Sequence, residues 1–530
     1  MGGGEAIPGH RTTADLPTST TWDYVIIGSG ITGAAVAYKL LARDPSLKIL
    51  MLEARTAASA ASGRNGGHVR AGWHLNFARY VDVFGEDAAL AFERLEAANV
   101  ADMAAFVREH DVDCDFRDVT TADVYTTAAA WDEARAVMRK RQEVEERRPG
   151  QGGQFIERRA WEGEAARERI GLPSAVGAIT YPAHTQNPYQ LVCRMLELGL
   201  EKGLNLQTNT MALEVAPVGN SSNDGAGGND ETVRWEVVTD RGTVKAQKVV
   251  LATNAYTNAL HAKLRQTGFL VSGRSQVSAI RPGSNMAHHP IMESTSVGLN
   301  DVGNGDYFGV RDASLAGSGD ILYGGGRSVS KSLHTVDDSI LNEEVMEYLR
   351  HAGRQVFGAE AWGDEGKPVR DWGGITCYTP DTFPLVGEDT TTQPQKGLWM
   401  SVGMNGHGMA MAFRCAEALV EMMTTGEAPG WLPEPFRLER VWNKERAHLS
   451  SLNAWVTGAK SQTSPYLMSE PASLGMRIDG SQKGYIAPQP LALTPVVSPH
   501  LVVAPRLANI PCGRSGLHIE ELTNKLSVAE

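Results

Sequence analysis

Three glycines, Gly28, Gly30 and Gly33, stand at GxGxxG spacing, and a carboxylate, Glu53, follows with Ala54 beside it. Residues of these types at this spacing can bind a dinucleotide. The first glycine permits a tight turn, the second lets backbone approach a pyrophosphate, and the third lets a helix pack close on a strand. The start of that helix, Ile31 and Thr32, turns backbone N–H groups and a positive dipole end toward phosphates. Glu53 accepts hydrogen bonds from ribose hydroxyls and repels a 2′-phosphate, which disfavours NADP. A second glycine loop, Gly403-Met-Asn-Gly-His-Gly408, lies far along the chain before Met409.

The surrounding pattern supplies the elements that must hold these residues. Tyr24-Val-Ile-Ile27 is a short apolar run of strand formers. An alanine-rich helix follows from about Thr32 to Arg43, stopped by Asp44-Pro45, and Lys48–Glu53 is a second buried strand. Strand, glycine turn, helix and strand make a complete βαβ unit. Alone it does not separate FAD from NAD. The run after the acid does. Residues 57–68 are small, with Ser62, Gly63, Arg64, Asn65, Gly66, Gly67 and His68 closing it. An NAD domain would continue with another helix and strand, whereas a small-residue loop lets backbone lie along an extended flat ligand. Arg64 is placed to meet pyrophosphate or ribityl oxygens.

Further along, 87–109 repeats apolar residues at helical spacing, and Trp131–Arg148 reads as a charged helix with a solvated face. Residues 218–232 form a polar glycine-rich loop. A hairpin pattern over 234–246 runs into a buried strand, Val249–Ala252. Strand patterns recur at Leu270–Ile280, Tyr307–Val310, Ile321–Gly324 and Leu398–Val402, and a last helix spans Met409–Thr424. Beyond about residue 457 the chain is irregular and proline-rich, an arm or a disordered tail.

Together these segments resemble the D-amino-acid oxidase superfamily of flavoproteins, with its glycine, sarcosine and γ-glutamylputrescine oxidases. The resemblance rests on Asp23–Gly33, Glu53, Ser62–His68, Val249–Tyr256, Tyr378–Gly387 and Gly403–Gly408, in the family's order. Ser62–His68 is most similar to the γ-glutamylputrescine oxidase branch. The resemblance implies an α/β fold with a Rossmann-like FAD-binding domain and a substrate domain on a mixed, largely antiparallel sheet. The expected division is an arm at 1–21, an FAD domain from 22–80, 185–260 and 370–430, and a substrate domain from 81–184 and 261–369. A C-terminal helix and extension fill 431–530. The implied cofactor is FAD, with Ala252, Thr253, Asn254, Gly403, Asn405, Gly406, His407, Gly408 and Met409 joining the glycines above as its contacts.

By the same analogy the 403–408 loop faces the pyrimidine edge of the flavin. A helix N-terminus there stabilises the negative charge that reduction places near N1 and C2=O. A protonated His407 would add to this; otherwise His407 fills a turn. The implied reaction oxidises a C–N bond of an amine or amino acid by hydride transfer to flavin N5, with dioxygen as acceptor giving hydrogen peroxide. The amine must bind neutral, and an aromatic, closed pocket favours that form. Trp73, Tyr307, Phe308, Trp372 and Tyr378 are candidates for its walls, Arg311 for a carboxylate clamp, and His184 and Gln186 for polar contacts; each also has an ordinary structural reading. Cys377 is four residues before Asp381 rather than seven, where the relatives' flavin-linked cysteine stands, and that position is Gly374. Non-covalent FAD is therefore favoured over a link through Cys377 or His68. Close alternatives are a biosynthetic flavoenzyme that desaturates a C–N bond or closes a ring, and a dehydrogenase with another acceptor. Alternatives of another class are an NAD-dependent dehydrogenase and a non-catalytic flavin-binding protein.

Composition narrows the field. A formal charge of -12 gives no support for nucleic-acid binding. Five scattered cysteines form no CxxC and point to a reducing compartment. No apolar run is long enough for a membrane span, and the polar N-terminus is no secretory signal, so the cytoplasm is expected. His288-His289 has no further ligands at metal spacing, and no metal is expected.

Overall fold

The computed structural model describes residues 7–151, 156–218, 233–289, 291, 296–300, 305–311, 319–330, 332–363, 366–391 and 396–442. The loop read at 219–232 and the proline-rich tail lie outside them. Two sheets organise the described chain. In the first, the strands run Leu385–Glu388, Leu398–Val402, Gly242–Leu251, Thr21–Ile27, Ile49–Leu52 and Asn205–Gln207. The last five are mutually parallel, and Leu385–Glu388 is antiparallel at one edge. The strand foreseen at 249–252 and the hairpin arm before it are one element. Gly242–Leu251 pairs antiparallel with Trp235–Thr239 through its first half and parallel with Thr21–Ile27.

Parallel strands need cover on both faces, and their sequences are correspondingly apolar throughout. Ile26, Ile49 and Met51 point to a layer formed by the helices Ile31–Arg43, Glu86–Glu109, Pro188–Glu201 and Gly408–Thr425. Val25, Ile27, Leu50 and Leu52 point the other way, onto Trp235, Val237 and Leu264. The Glu86–Glu109 helix, assigned to the substrate lobe from its place in the sequence, thus packs on the nucleotide sheet's helix layer.

The second sheet runs Lys367–Tyr378, Val271–Arg281, Ile321–Gly324, Asp306–Val310, Ser296–Leu299, Arg117–Tyr125, Gly177–Thr185 and His68–Val69. Every one of these neighbouring pairs is antiparallel except Ser296–Leu299 with Arg117–Tyr125. This is the mixed, largely antiparallel sheet expected. One face carries Phe308 and Tyr323 into a core with Leu349 and Phe357 of the Glu343–Phe357 helix. The other face presents Asp123, Tyr181, Gly298, Tyr307, Gly324 and Trp372. The 370–378 stretch belongs to this sheet, so the chain returns to the first sheet at Leu385 rather than at 370.

The N-terminal arm is docked over its described part. Ile7 and Leu16 are buried, Thr12 donates its N–H to the Leu206 carbonyl, and Arg241 reaches the Ala14 carbonyl. It satisfies the open edge of Asn205–Gln207. No helix among the described residues is long and apolar enough to cross a membrane.

Candidate active site

The turn from Ile27 into the Ile31–Arg43 helix has no room for a side chain at Gly28 or Gly33. A Cβ on Gly33 would lie 1.9 Å from the Gly28 carbonyl oxygen, and one on Gly28 would lie 2.7 Å from the Ala252 carbonyl oxygen. Gly30 faces Ser62, whose hydroxyl accepts the Ile31 N–H at 2.9 Å. Ile31 and Thr32 are themselves buried. Glu53 ends the second strand as expected, but its carboxylate already accepts the Ser29 N–H at 3.1 Å, the Ser29 hydroxyl at 2.7 Å and the Arg55 N–H at 2.9 Å. These bonds fix its direction before any ribose arrives. Ala54 beside it is exposed.

The small-residue loop is held by its own polar groups. Asn65 donates to the Ala61 and Ser62 carbonyls and accepts the Gly67 N–H. Gly63 packs on Tyr189, Gly66 lies under the Tyr307 ring, and Gly67 abuts the Gln186 carbonyl. Arg64 differs from expectation: its guanidinium donates to the Ser59 carbonyl at 2.7 Å and the Gly373 carbonyl at 2.9 Å, and pairs with Asp338 at 3.3 Å. It ties the loop to the second sheet.

His68 enters that sheet. Its Nδ1 lies 2.6 Å from the Ser296 hydroxyl, while its Nε2 is buried with no protein partner. Burial and the nearby Arg70 push its pKa down to about 3, so the ring is neutral.

On the far side, Thr253 bonds Thr257, and Asn254, held at a positive φ of 45°, accepts the Gly403 and Met404 N–H groups on its side-chain oxygen. Asn405, also at positive φ, accepts the Thr379 N–H at 2.8 Å. Two asparagines thus shape the second glycine loop. Asn99, wholly buried on the Glu86–Glu109 helix, fixes the helix behind it, bonding the Met409 carbonyl and the Arg414 N–H. Gly408 begins this helix and His407 precedes it.

Gly406 and His407 are exposed, at the end of the loop that faces Arg327. Desolvation, and after it the fields of Arg70 and Arg327, push the His407 pKa down to about 4. These effects favour the neutral form of His407 at neutral pH, with the positive charge on the two arginines. Arg70 lies over Gly298 and pairs with the fully buried Asp123 at 3.0 Å. Asp123 also accepts the Tyr181 hydroxyl at 2.9 Å and the Asn300 amide at 2.7 Å, and these partners hold it well below the usual carboxylate range. Arg327 donates to the Tyr378 hydroxyl at 3.2 Å, and no carboxylate pairs with it among the described residues.

The two glycine loops and the 62–68 segment therefore converge. The His68–Val69 strand lies against the Gly408–Thr425 helix, and Gly406 faces the Arg327 guanidinium. The sequence profile of the FAD dependent oxidoreductase family, DAO, matches residues 23–422. The chain belongs to this family. No curated protein matches it in sequence. Its fold is similar to that of an L-amino acid deaminase from Proteus vulgaris with its specific insertion deleted, at TM-score 0.60 and 18% identity, over 81% of this chain and 96% of the other. It is similar also to glycine oxidase from Geobacillus kaustophilus (TM-score 0.59, 20% identity, 79% and 98% covered). L-proline dehydrogenase from P. horikoshii gives TM-score 0.59 at 18% identity, over 80% and 98%.

The protein is thus an FAD-dependent oxidoreductase, which sets aside the NAD-dependent and non-catalytic readings. The residues present fit FAD: the glycine turn leaves room only for a backbone-hugging ligand, His68 Nε2 is an orphaned buried polar atom, and the 406–407 surface is bare. Ala252 and Thr253 flank the glycine turn, and Met409 is buried behind the second loop.

Several side chains foreseen at the reaction centre are engaged in other contacts or lie elsewhere. Trp372 donates its indole N–H to the Arg64 carbonyl at 2.7 Å, a tether between loop and sheet. Trp73 is packed among Tyr80, Phe92, Phe383 and Phe436, and Phe308 faces the second sheet's outer core. Arg311 stands beyond the other end of the Tyr307 strand, about 13 Å along it, loosely paired with Asp115 at 3.9 Å. His184 stacks on Phe116 and pairs at 2.8 Å with the exposed Asp118. The Gln186 amide is buried without a protein partner. Cys377 is fully buried in an apolar cluster, its thiol pushed up to about 12 by burial. It presents a protonated, unreactive sulfur. Gly374 faces Ala61 and Arg64. Of the proposed reaction-centre residues, Tyr307 and Tyr378 do line the Arg327 side.

Arg70, Asp123 and Arg327 were missed. The signal for Arg327 was present: three glycines, Gly324 to Gly326, run from a strand end straight into it. Arg70 stands two residues past His68, on the same face of the short strand's continuation, and only the tertiary pairing with Asp123 distinguishes it from any other arginine.

Proposed function

We propose that the chain oxidises the C–N bond of an amino acid with a free carboxylate, using non-covalently bound FAD and dioxygen. The observation that carries this reading is Arg327, a half-buried guanidinium that faces Gly406 and has no acidic partner among the described residues. A half-buried guanidinium without a protein carboxylate leaves its planar fork free to take a substrate carboxylate. Bound FAD supplies the electron acceptor, taking a hydride at N5. Arg327 and the Tyr378 hydroxyl hold the substrate carboxylate. With Arg70 paired to Asp123 and Arg327 to the substrate carboxylate, no carboxylate of this group is left for an ammonium, and desolvation favours the neutral amine with its lone pair available. Tyr307 excludes water over the glycine floor. The substrate leaves as an imine that water hydrolyses, and dioxygen leaves as hydrogen peroxide.

The test is a screen of amino acids against their decarboxylated amines, following anaerobic loss of yellow colour and aerobic peroxide release. Bleaching by amino acids and not by the matching amines is expected. Equal bleaching by both would remove the carboxylate anchor from the reading. Bleaching without peroxide would make the acceptor something other than dioxygen. Acid precipitation is expected to leave the flavin in the supernatant.

A further inference from the structure

Between the Ile321–Gly324 strand and the Glu343–Phe357 helix, residues 332–342 leave the second sheet and cross to the loops of the first. On the second sheet this strap is sewn to one strand. Arg274 donates from Nε and Nη2 to the Asp337 carbonyl at 3.0 and 2.7 Å, and His334 donates its N–H to the Ser272 carbonyl at 2.7 Å. Ser332 and His334 are both held in the left-handed region, at φ 43° and 59°. Non-glycine residues stay there only where surrounding contacts over-determine them.

On the other side the strap meets three loops. Arg55 donates to both Asp338 carboxylate oxygens, at 2.8 and 3.0 Å, and Arg64 approaches the same carboxylate at 3.3 Å. The Tyr256 hydroxyl donates to the Val336 carbonyl at 3.2 Å. Arg55 follows Glu53. Arg64 belongs to the loop whose Ser62 faces Gly30. Tyr256 ends the turn whose Ala252 lies against Gly28. These three loops enclose the start of the Ile31–Arg43 helix, where the dinucleotide must lie. Asp338 is the point where two of them meet, and its side chain is only 8% exposed against 40% and 30% for the two arginines.

We propose that the strap is a latch on the FAD groove and that Asp338 is the positioning residue that holds it closed. The inference rests on the family's cofactor and not on the identity of the substrate. With the carboxylate in place, FAD can leave only after two guanidinium contacts and the Tyr256 bond open together. Without it, the three loops separate from the strap and the groove opens by local motion.

The test compares Asp338→Asn with Asp320→Asn, which weakens a similar two-point Arg–Asp pair, Arg281 with Asp320, away from the groove. FAD release from the holoenzyme is followed by the return of flavin fluorescence, and the unfolding midpoint of each apoprotein is recorded beside it. D338N is expected to release FAD about tenfold faster, as loss of a charged hydrogen-bonded pair would allow. D320N should match the wild type, and the two apoproteins should unfold alike. Arg55→Gln, which keeps the Arg64 contact, should give a smaller acceleration and stands in if D338N fails to fold. Release from D338N and R55Q at the wild-type rate would overturn the latch. So would an acceleration shared by D320N, or one that merely tracks a lower apoprotein midpoint.

Discussion

Arg70 and Arg327 add to the effect of burial on the groups around them. His407 is held toward its neutral form first by desolvation and then by these two cations. Replacing Arg327 by methionine removes the smaller of those two fields and leaves the effect of burial, so any acid-side inflection from His407 in the pH profile of kcat/KM should move upward from about 4. The same variant should raise KM for an amino-acid substrate on the order of a hundredfold with a smaller change for the matching amine, measured in steady-state kinetics. Glu96 offers a second titration. It is almost wholly buried, accepts the Trp73 N–H at 2.8 Å, and burial raises its pKa to about 7. Between its unfolded value and that pKa the unfolded chain has released the proton and the folded chain has not. Stability from this group is therefore full in acid and falls as pH rises toward 7. Glu96→Gln should flatten that slope and stabilise the protein above pH 7 by up to about 3 kcal/mol, read from denaturant midpoints across the pH range.

The nucleotide unit depends on one close approach between helix and strand. Gly33→Ala would drive a methyl group into the Gly28 carbonyl, and an element cannot shift by that much without opening the sheet. A loss of about 2–4 kcal/mol and of FAD retention is expected, by chemical denaturation and absorbance near 450 nm. Gly72→Ala, with open space around the new carbon and an ordinary φ of −113°, is expected to be near neutral. Elements of this kind were legible in the sequence because their patterns are local: the Ile31–Arg43 helix begins and ends within a residue of where its glycine and Asp44-Pro45 place it. The Lys367–Tyr378 strand was not, because its first half alternates around Pro368, Arg370 and Asp371 on an exposed sheet edge. Edge strands carry polar residues that read as loop. Among candidate site residues, those whose place follows from local backbone, such as Gly28, were readable from the sequence as parts of a glycine turn. Those fixed by partners distant in sequence were not: nothing near Arg70 announces Asp123, and nothing near Trp372 announces that its N–H is taken by Arg64.

At the scale of the whole molecule, the described chain after the last long helix doubles back onto the Tyr378–Leu385 connection. Arg440 grips Asp381 at 2.6 and 3.0 Å and also bonds the Phe383 and Pro384 carbonyls, with both charged side chains buried. Arg440→Met would leave Asp381 buried and unpaired, and a loss of about 3–5 kcal/mol is expected; adding Asp381→Asn should return part of it, and a double-mutant cycle measures the coupling. The pairing of Val25 with Val249 on one side and Leu50 on the other has a different kind of consequence. A nascent chain emerging from a ribosome exposes its first strand as a sticky, greasy ribbon long before the neighbour that shields one flank has been made, and Leu398–Val402 arrives later still. Assembly of this half cannot proceed piece by piece in the order of translation, so refolding should be slow, prone to clumping and helped by chaperones that hold early segments apart.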